Sequence, residues 1–218
     1  MMGTSIAPRI MSRPLRLVLA SASPRRAELL AAAGFSFDQR PVDVDERVRP
    51  QESPEHYVSR LASEKSARAL ELMHPRSRPL TVVLGADTAV VIDGTILGKP
   101  AHDGEAREML RWLSGRRHDV ITGISLRHAG SDATTVTQTA VFFAPLGDRE
   151  VDWLVKSGEG RDKAGAYAVQ GRAARFVQRI EGTYSNVVGL PIAAFYELLG
   201  RLGLTDGDLA PEALSELS

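Results

Sequence analysis

The chain has 218 residues, and its 27 Lys and Arg residues balance 27 Asp and Glu residues, so it carries no formal net charge at pH 7. A neutral chain has no overall field to attract nucleic acid or an anionic membrane, and any anion binding must come from local clusters. The absence of cysteine excludes disulfides, cysteine-based metal sites and a cysteine nucleophile, and no apolar run is long enough to span a bilayer.

The first 15 residues predict an extension outside the folded domain. Arg9 and Arg13 lie there without any acidic residue, and the stretch lacks the apolar core of a secretory signal. We therefore expect residues 1–15 to be disordered, with a short targeting peptide as the alternative. We expect a cytoplasmic protein.

The stretch over residues 17–30, LVLASASPRRAELL, predicts a short buried strand, a small-residue turn and a helix. Ser23 suits the N-cap and Pro24 suits the first helical position. Arg25 and Arg26 then lie in the first helical turn, where the positive end of the helix dipole disfavours each cation by about 0.3–1 kcal/mol. Two interpretations stay open: both side chains extend into water, or they bind a phosphate together with free backbone N–H groups.

An acidic cluster follows a segment that we expect to be extended over residues 35–44. Asp43, Asp45 and Glu46 are close together near the end of this segment. Three such acids could bind a hard cation through oxygen ligands. A solvated acidic loop is the alternative, and it is the commoner explanation of such clusters.

The next helix is predicted from Pro54, with Ser53 as its cap, to about Met73. Lys65 falls on the apolar stripe of this helix. Either its stem packs along the apolar surface and its ammonium reaches the rim, or the ammonium meets a buried anion.

A continuous apolar run predicts a strand that is buried on both faces and ends in Gly-Ala-Asp-Thr at residues 85–88. Ligand sites in open α/β sheets lie beyond the carboxyl ends of strands, where we expect Asp87. The alternative is that Asp87 caps a turn. Gly85 favours a site, because a residue without a side chain beside an acid indicates close approach of another group.

A hairpin is predicted over residues 89–97, with a tight turn at Asp93-Gly94. Lys99 follows between Gly98 and Pro100. Either these two neighbours fix its position, or it is an ordinary loop lysine.

The middle of the chain predicts two helices around a pair of antiparallel strands. These elements are a helix capped by Asp103 and ending near Gly115, strands over residues 119–128 and 134–144, and a helix capped by Asp148 over residues 149–156. The five histidines have no ligand spacing, and we expect scattered surface residues: His56, His74, His102, His118 and His128.

The glycine-rich stretch over residues 157–171 contains Asp162, Lys163 and Gln170. A loop of this composition is either disordered or built around a ligand. Tyr167 within it favours an ordered loop. A strand over residues 174–180 and a helix from Pro191 to about Leu202 are predicted after it.

The alternation of strands and helices predicts one α/β domain over residues 16–203. We expect a mixed sheet flanked by helices, with two lobes around a central cleft. An acidic, poorly patterned tail over residues 204–218 is expected to be mobile.

The chemistry-bearing residues suit a metal-bound polyphosphate. The sequence has no GxxxxGK[ST], no GxGxxG after a strand and no GxSxG. It does have the cationic strand-to-helix turn, two further basic residues, and acids at Asp45, Glu46, Asp87 and Asp162. Basic side chains neutralise phosphate oxygens, while carboxylates hold a metal and position a water.

Four separated motifs resemble the Maf-like nucleotide pyrophosphatase family, also called septum formation inhibitor proteins. They are SASPRRAELL, the GADT strand end, the ILGKP turn, and DKAGAYAVQG followed by IEGTYSNVVGLP, and they cover roughly residues 17–202. The resemblance implies hydrolysis of a nucleoside triphosphate between its α and β phosphates with a divalent cation, Mg²⁺ or Mn²⁺. It also implies a fold similar to that of the inosine triphosphate pyrophosphatases.

The resemblance further implies roles for individual residues. Asp87 is the expected general base, and Lys65 and Lys99 are the other expected catalytic residues. Glu46 and Asp87 are expected near the metal. The expected substrate-binding residues are Ser21, Arg25, Arg26, Thr88, Asp162, Lys163 and Gln170, of which Arg25, Thr88 and Gln170 match positions linked to base selection.

The wording of the last two motifs resembles the branch that acts on dTTP and UTP. Gln170 offers a donor and an acceptor, as the edge of uracil or thymine requires. We therefore expect dTTP, UTP and modified pyrimidine nucleotides as substrates, without nucleic acid or membrane partners. The alternatives are a nucleotide-binding regulator of cell division and the same reaction on 7-methyl-GTP. The resemblance also suggests a homodimer, although no sequence stripe marks an interface.

Overall fold

The computed structural model describes residues 14–209, which contain six α-helices and seven β-strands. The helices are α1 (Pro24–Ala32), α2 (Pro54–Glu71), α3 (Asp103–Leu113), α4 (Asp148–Ser157), α5 (Tyr184–Val188) and α6 (Ile192–Arg201). The strands are β1 (Arg16–Leu19), β2 (Asp38–Gln39), β3 (Thr81–Ile92), β4 (Thr95–Leu97), β5 (Arg117–His128), β6 (Ser131–Phe143) and β7 (Val177–Glu181). Within this range no helix has both the length and the apolar character needed to cross a membrane.

The seven strands form one mixed sheet in the order β2-β1-β3-β5-β6-β7, with β4 paired to the far end of β3. β1 pairs in parallel with β2 and β3, and the other pairings are antiparallel. The predicted mixed sheet with flanking helices is confirmed. The predicted hairpin is confirmed too, with its turn at Asp93-Gly94 in the positive-φ region that such turns need.

Two large apolar clusters lie along one face of the sheet, and β3 contributes to both. Val82 and Leu84, from its first half, pack with Leu30 and Phe195 of α1 and α6. Val90, from its second half, packs in the cluster of α3, α4 and β6. These clusters are the cores of the two predicted lobes, and the cleft opens between them.

Helix α2 covers the opposite face of the sheet, and two glycines let its backbone approach closely. A Cβ added to Gly85 would lie 2.1 Å from the Ala62 carbonyl oxygen, and one added to Gly123 would lie 2.4 Å from that of Val58. Close approach at Gly85 was expected from the sequence. The approaching group is the backbone of α2.

Strand β3 is longer than predicted, so Asp87 lies inside the strand and not at its end. The parallel partner β1 stops at Leu19, opposite Leu84, whereas β5 stays paired with β3 as far as Val91. Asp87 therefore lies beyond the last parallel pair but still within an antiparallel ladder. Sequence could not separate these cases, because the residues after Thr88 remain apolar.

Several local predictions were wrong. His102, not Asp103, caps α3 by accepting from the Glu105 N–H, and Gly147 precedes α4 in place of an Asp148 cap. The segment over residues 35–44 contains only the two-residue β2, and a 3₁₀ turn over residues 172–176 replaces the start of the predicted last strand. Helix α5 was not predicted, because five residues give no periodic signal.

The two described ends of the chain lie against each other. The Leu15 N–H donates to the Asp208 carbonyl oxygen at 2.8 Å, and Leu209 is buried. The predictions for residues 1–13 and 210–218 lie outside the described residues.

Candidate active site

A cavity of about 840 Å³ lies where β1 ends and α1 begins, between the two lobes. It is lined by all the residues singled out from the sequence for catalysis, metal or substrate binding, except Asp45 and Gln170. These residues are Ser21, Arg25, Arg26, Glu46, Lys65, Asp87, Thr88, Lys99, Asp162 and Lys163.

Lys65 bridges two carboxylates at the floor of this cavity. Its Nζ donates to Glu46 Oε1 at 2.6 Å and to Asp87 Oδ1 at 2.7 Å. Lys65 is 8% exposed and Asp87 is 7% exposed, so the pair is largely shielded from solvent. Of the two interpretations of Lys65, the structure supports the one in which its ammonium meets a buried anion.

Burial opposes ionisation of Glu46, but the hydrogen bond and charge of Lys65 outweigh it. The pKa of Glu46 therefore lies below its ordinary value, and Lys99 and Arg26 contribute to this shift. Glu46 is a carboxylate at neutral pH.

Arg26 binds mainly to uncharged oxygens of the protein. Its Nε donates to the Gly189 carbonyl oxygen at 2.8 Å. Nη1 donates to Ala86 O at 2.9 Å and to Ser21 Oγ at 3.1 Å, and Nη2 donates to Thr88 Oγ1 at 3.0 Å. A guanidinium has five N–H groups, so four of them are used to tie α1 to β3 and to the turn before α6.

Arg25 makes no hydrogen bond or ion pair within residues 14–209 and faces the cavity. Burial lowers its pKa, opposed by the nearby charges of Asp162 and Glu28. Lys99 is exposed and also lines the cavity. Of the two first-turn arginines, Arg25 is therefore the one whose donors face open space.

The glycine-rich segment over residues 158–171 is ordered and lies on the Gly98–Lys99 turn. The Gly165 N–H donates to the Gly98 carbonyl oxygen at 3.1 Å. Lys163 pairs with its neighbour Asp162. The interpretation that this loop is ordered is confirmed.

Gln170 lies in a smaller adjoining cavity of about 410 Å³. The two cavities are neighbours and share part of their lining, namely Arg25, Asp162 and Lys163. Glu28 and Glu159 also line the smaller cavity. Gln170 itself is exposed.

The three residues of the acidic cluster do not all line the cavity. Asp43 and Glu46 line the cavity, whereas Asp45 lies outside the set of lining residues. Asp45 forms an exposed ion pair with Arg47, whose hydrogen bonds hold the Asp45 pKa well below its usual range. Within residues 14–209 no group of three or more acids or histidines is arranged to hold a metal ion.

His118 is buried, which corrects the expectation that all the histidines are scattered on the surface. Its Nε2 lies 2.8 Å from the Tyr167 hydroxyl, and both rings pack against Phe143. Burial lowers the pKa of His118 to about 4. The sequence did carry a signal, because His118 shares a strand face with the apolar Val120 and Ile124.

A buried polar chain supports the Arg26 contacts and was also missed. Thr88 Oγ1 lies 3.0 Å from Thr122 Oγ1. Asn186 Nδ2 donates to Val120 O and to Thr139 Oγ1, both at 3.0 Å. These residues connect β3, β5 and β6 to α5, and their sequence separation hides the connection.

The family model described as "Maf-like protein" matches residues 16–202. The dTTP/UTP pyrophosphatase of Anaeromyxobacter dehalogenans (strain 2CP-C) is 53% identical over 192 residues, covering 86% of this chain and 94% of the relative. The dTTP/UTP pyrophosphatase of Shewanella oneidensis is 46% identical over 195 residues, which cover 87% of this chain and 100% of the relative.

Two solved structures also match. The nucleoside-triphosphatase / dITP/XTP pyrophosphatase of Mycobacterium abscessus has a TM-score of 0.38 at 13% identity, covering 86% of this chain and 98% of that chain. The Staphylococcus aureus Ham1 protein has a TM-score of 0.43 at 14% identity, and the match covers 74% of this chain and 90% of that chain.

Proposed function

This chain belongs to the Maf-like protein family, and from that premise we propose that it hydrolyses dTTP and UTP to the monophosphate and pyrophosphate. One observation carries the proposal. Basic side chains converge with the carboxylates of Glu46 and Asp87 in a cavity large enough for a nucleotide, and Lys65 bridges these two carboxylates.

The proposed reaction is attack of water on the α phosphorus. The water oxygen forms the new bond, the bond from that phosphorus to the α–β bridging oxygen breaks, and pyrophosphate leaves. Asp87 accepts the proton of the attacking water. Arg25 and Lys99 neutralise the charge that develops on the phosphate oxygens, which preorganised cations do most effectively in a partly desolvated site.

The donor set fits a hard divalent cation such as Mg²⁺ or Mn²⁺. Such ions are commonly held by one or two carboxylates while substrate phosphates and water complete the shell. Glu46 and Asp87 are two carboxylates that both accept a hydrogen bond from one ammonium, that of Lys65. When bound, the metal would withdraw charge from the phosphates.

Gln170 is the proposed reader of the base. Gln170 lines the smaller cavity together with Arg25, and Arg25 also lines the main cavity, where we place the phosphates. An amide pairs a donor with an acceptor, which matches the imide edge that uracil and thymine share.

A nucleotide panel with Mg²⁺ or Mn²⁺ tests this function. We expect pyrophosphate release from dTTP and UTP in preference to CTP, GTP and 7-methyl-GTP. Asp87→Asn should reduce turnover by at least about 100-fold, because it removes the general base. If none of these nucleotides releases pyrophosphate, the proposal is refuted. A preference for 7-methyl-GTP would show that the chain carries out the same reaction on that nucleotide instead of dTTP and UTP.

A further inference from the structure

Three successive backbone carbonyls, those of Asp45, Glu46 and Arg47, are held by side chains of α2. Arg60 Nη1 donates to Asp45 O at 3.3 Å, and its Nη2 donates to Arg47 O at 3.1 Å. The Tyr57 hydroxyl donates to Glu46 O at 3.0 Å. The loop is therefore fixed on both sides of Glu46 and at Glu46 itself.

Arg60 is itself held rigidly. Its guanidinium is paired with the Glu52 carboxylate through Nε at 2.6 Å and Nη2 at 2.8 Å. The two side chains are only 12% and 8% exposed. The hydrogen bonds of Arg60 hold the pKa of Glu52 at about 2, so the pair stays charged at neutral pH.

This arrangement leads directly to the candidate active site. Glu46 is the residue of the loop whose side chain reaches Lys65, which in turn contacts Asp87. Tyr57, Arg60 and Lys65 all come from α2, so one helix carries both the ammonium and the groups that fix the opposing loop.

We propose that Arg60 and Tyr57 are positioning residues that hold Glu46 for divalent-cation binding. This inference rests on the proposed function for the role of the metal. A fixed carboxylate loses less freedom when a metal binds than a carboxylate on a mobile loop does. Loosening the loop should therefore weaken metal affinity while Asp87 and Lys65 keep their places.

Two mild variants test the proposal without leaving a buried charge unpaired. Tyr57→Phe removes one hydroxyl and keeps the ring. Arg60→Lys keeps a cation for Glu52 but lacks the planar fork that reaches two carbonyls at once. Arg68→Met, which removes an exposed cation from the same helix, is the matched control.

The measurement is Mn²⁺ binding to the full chain by electron paramagnetic resonance, in the presence of a dTTP analogue that cannot be cleaved between its α and β phosphates. We expect Tyr57→Phe and Arg60→Lys each to raise the Mn²⁺ dissociation constant about two- to tenfold, the range that corresponds to one net hydrogen bond. Arg68→Met should leave it unchanged. Thermal melting of each variant without metal shows whether the effect is separate from stability.

A double-mutant cycle with Glu46→Gln decides whether the effect acts through Glu46. In that background, Tyr57→Phe should cause no further loss of Mn²⁺ affinity. An unchanged dissociation constant in both loop variants, or a full loss that persists in the Glu46→Gln background, would overturn the inference. Absence of turnover by the wild-type chain would instead refute the proposed function, and the Mn²⁺ titrations would still decide the present point.

Discussion

The two adjacent arginines at the start of α1 differ in what surrounds their guanidinium groups. Arg26 is engaged by oxygens from β3, from the turn before α1 and from the turn before α6. Arg25 faces the cavity and makes no such contact within the described residues. We infer that Arg26 shapes the phosphate site and that Arg25 contacts the phosphate.

This difference predicts opposite phenotypes for the same substitution. Arg26→Gln should lower the free energy of unfolding by about 2–4 kcal/mol, because four hydrogen bonds are lost or weakened. Arg25→Gln should change stability by less than about 0.5 kcal/mol and raise KM for dTTP roughly tenfold or more, because it removes a charge-assisted contact with an anion. Urea denaturation and steady-state kinetics measure the two effects, and equal stability losses in both variants would contradict the division.

His118 predicts a pH dependence of stability. Its pKa in the folded chain is about 4, against an ordinary value of 6.5, so the unfolded chain binds more protons between these values. The stabilisation is present above pH 6.5 and is lost as the pH falls towards 4. From pH 7 to pH 5 the wild-type chain should lose about 2 kcal/mol through this group.

His118→Phe provides the comparison, since it keeps a ring against Phe143 and removes the titration. The difference in unfolding free energy between the two proteins should change by that amount between pH 7 and pH 5. Parallel pH profiles for wild type and variant would show that His118 does not contribute.

For individual residues, the sequence indicated which side chains belong to the site, but it did not indicate their hydrogen-bond partners. The odd placement of Arg25 and Arg26 was visible in the first turn of a predicted helix. Which of them faces the ligand was not, because an Arg26 partner, Gly189, is 163 positions away. Lys65 was visible on an apolar stripe, but its carboxylate partners come from two other segments.

The helices show which elements local patterns can predict. α1 and α2 begin where the Ser-Pro pairs predict, because caps and prolines act through neighbouring atoms, and α2 ends two residues before the expected Met73. β3 was predicted too short, since the end of a strand depends on its neighbours in the sheet. Asp87 was therefore expected at a strand end, although it lies within an antiparallel ladder.

The packing of α2 on the sheet predicts a strong effect at Gly85. Gly85→Ala places a methyl group 2.1 Å from a backbone oxygen of α2, so the helix that carries Lys65 must move. We expect unfolding to become easier by about 1–3 kcal/mol, as for other overpacked sites, and kcat to fall with it.

Gly200→Ala is the control for that substitution. Apart from its chain neighbours and the backbone of its own helix, no heavy atom of residues 14–209 lies within 4 Å of its added Cβ. Alanine in a helix is more favourable than glycine by about 0.5–1 kcal/mol. This variant should be as stable as wild type or more so, with unchanged kcat. A fully active and stable Gly85→Ala protein would show that α2 tolerates the shift.

On the scale of the whole molecule, the contact between Leu15 and the Asp208–Leu209 segment joins the two described ends of the chain beside β1. Leu209 is 6% exposed and packs in the same apolar cluster as Leu17 and Phe195. Leu209→Ala should therefore lower the free energy of unfolding by about 2 kcal/mol, the lower end of the range for buried leucines. Leu72→Ala, at a side chain that is 63% exposed, should have little effect on stability. Urea denaturation measures both variants, and equal losses of stability would contradict a stabilising role for the packing of Leu209.

The long strands β3 and β5 also determine how this molecule can deform. They stay paired from Val83–Arg127 to Val91–Asp119, and β3 supplies side chains to the cores of both lobes. Opening the cleft by a hinge between the lobes would bend this ladder in its middle and break its hydrogen bonds. The sheet therefore resists bending between the lobes, and the loop around Glu46 is held on α2. We expect substrate entry and product release to depend on the other segment that borders the cavity, the glycine-rich segment over residues 158–171.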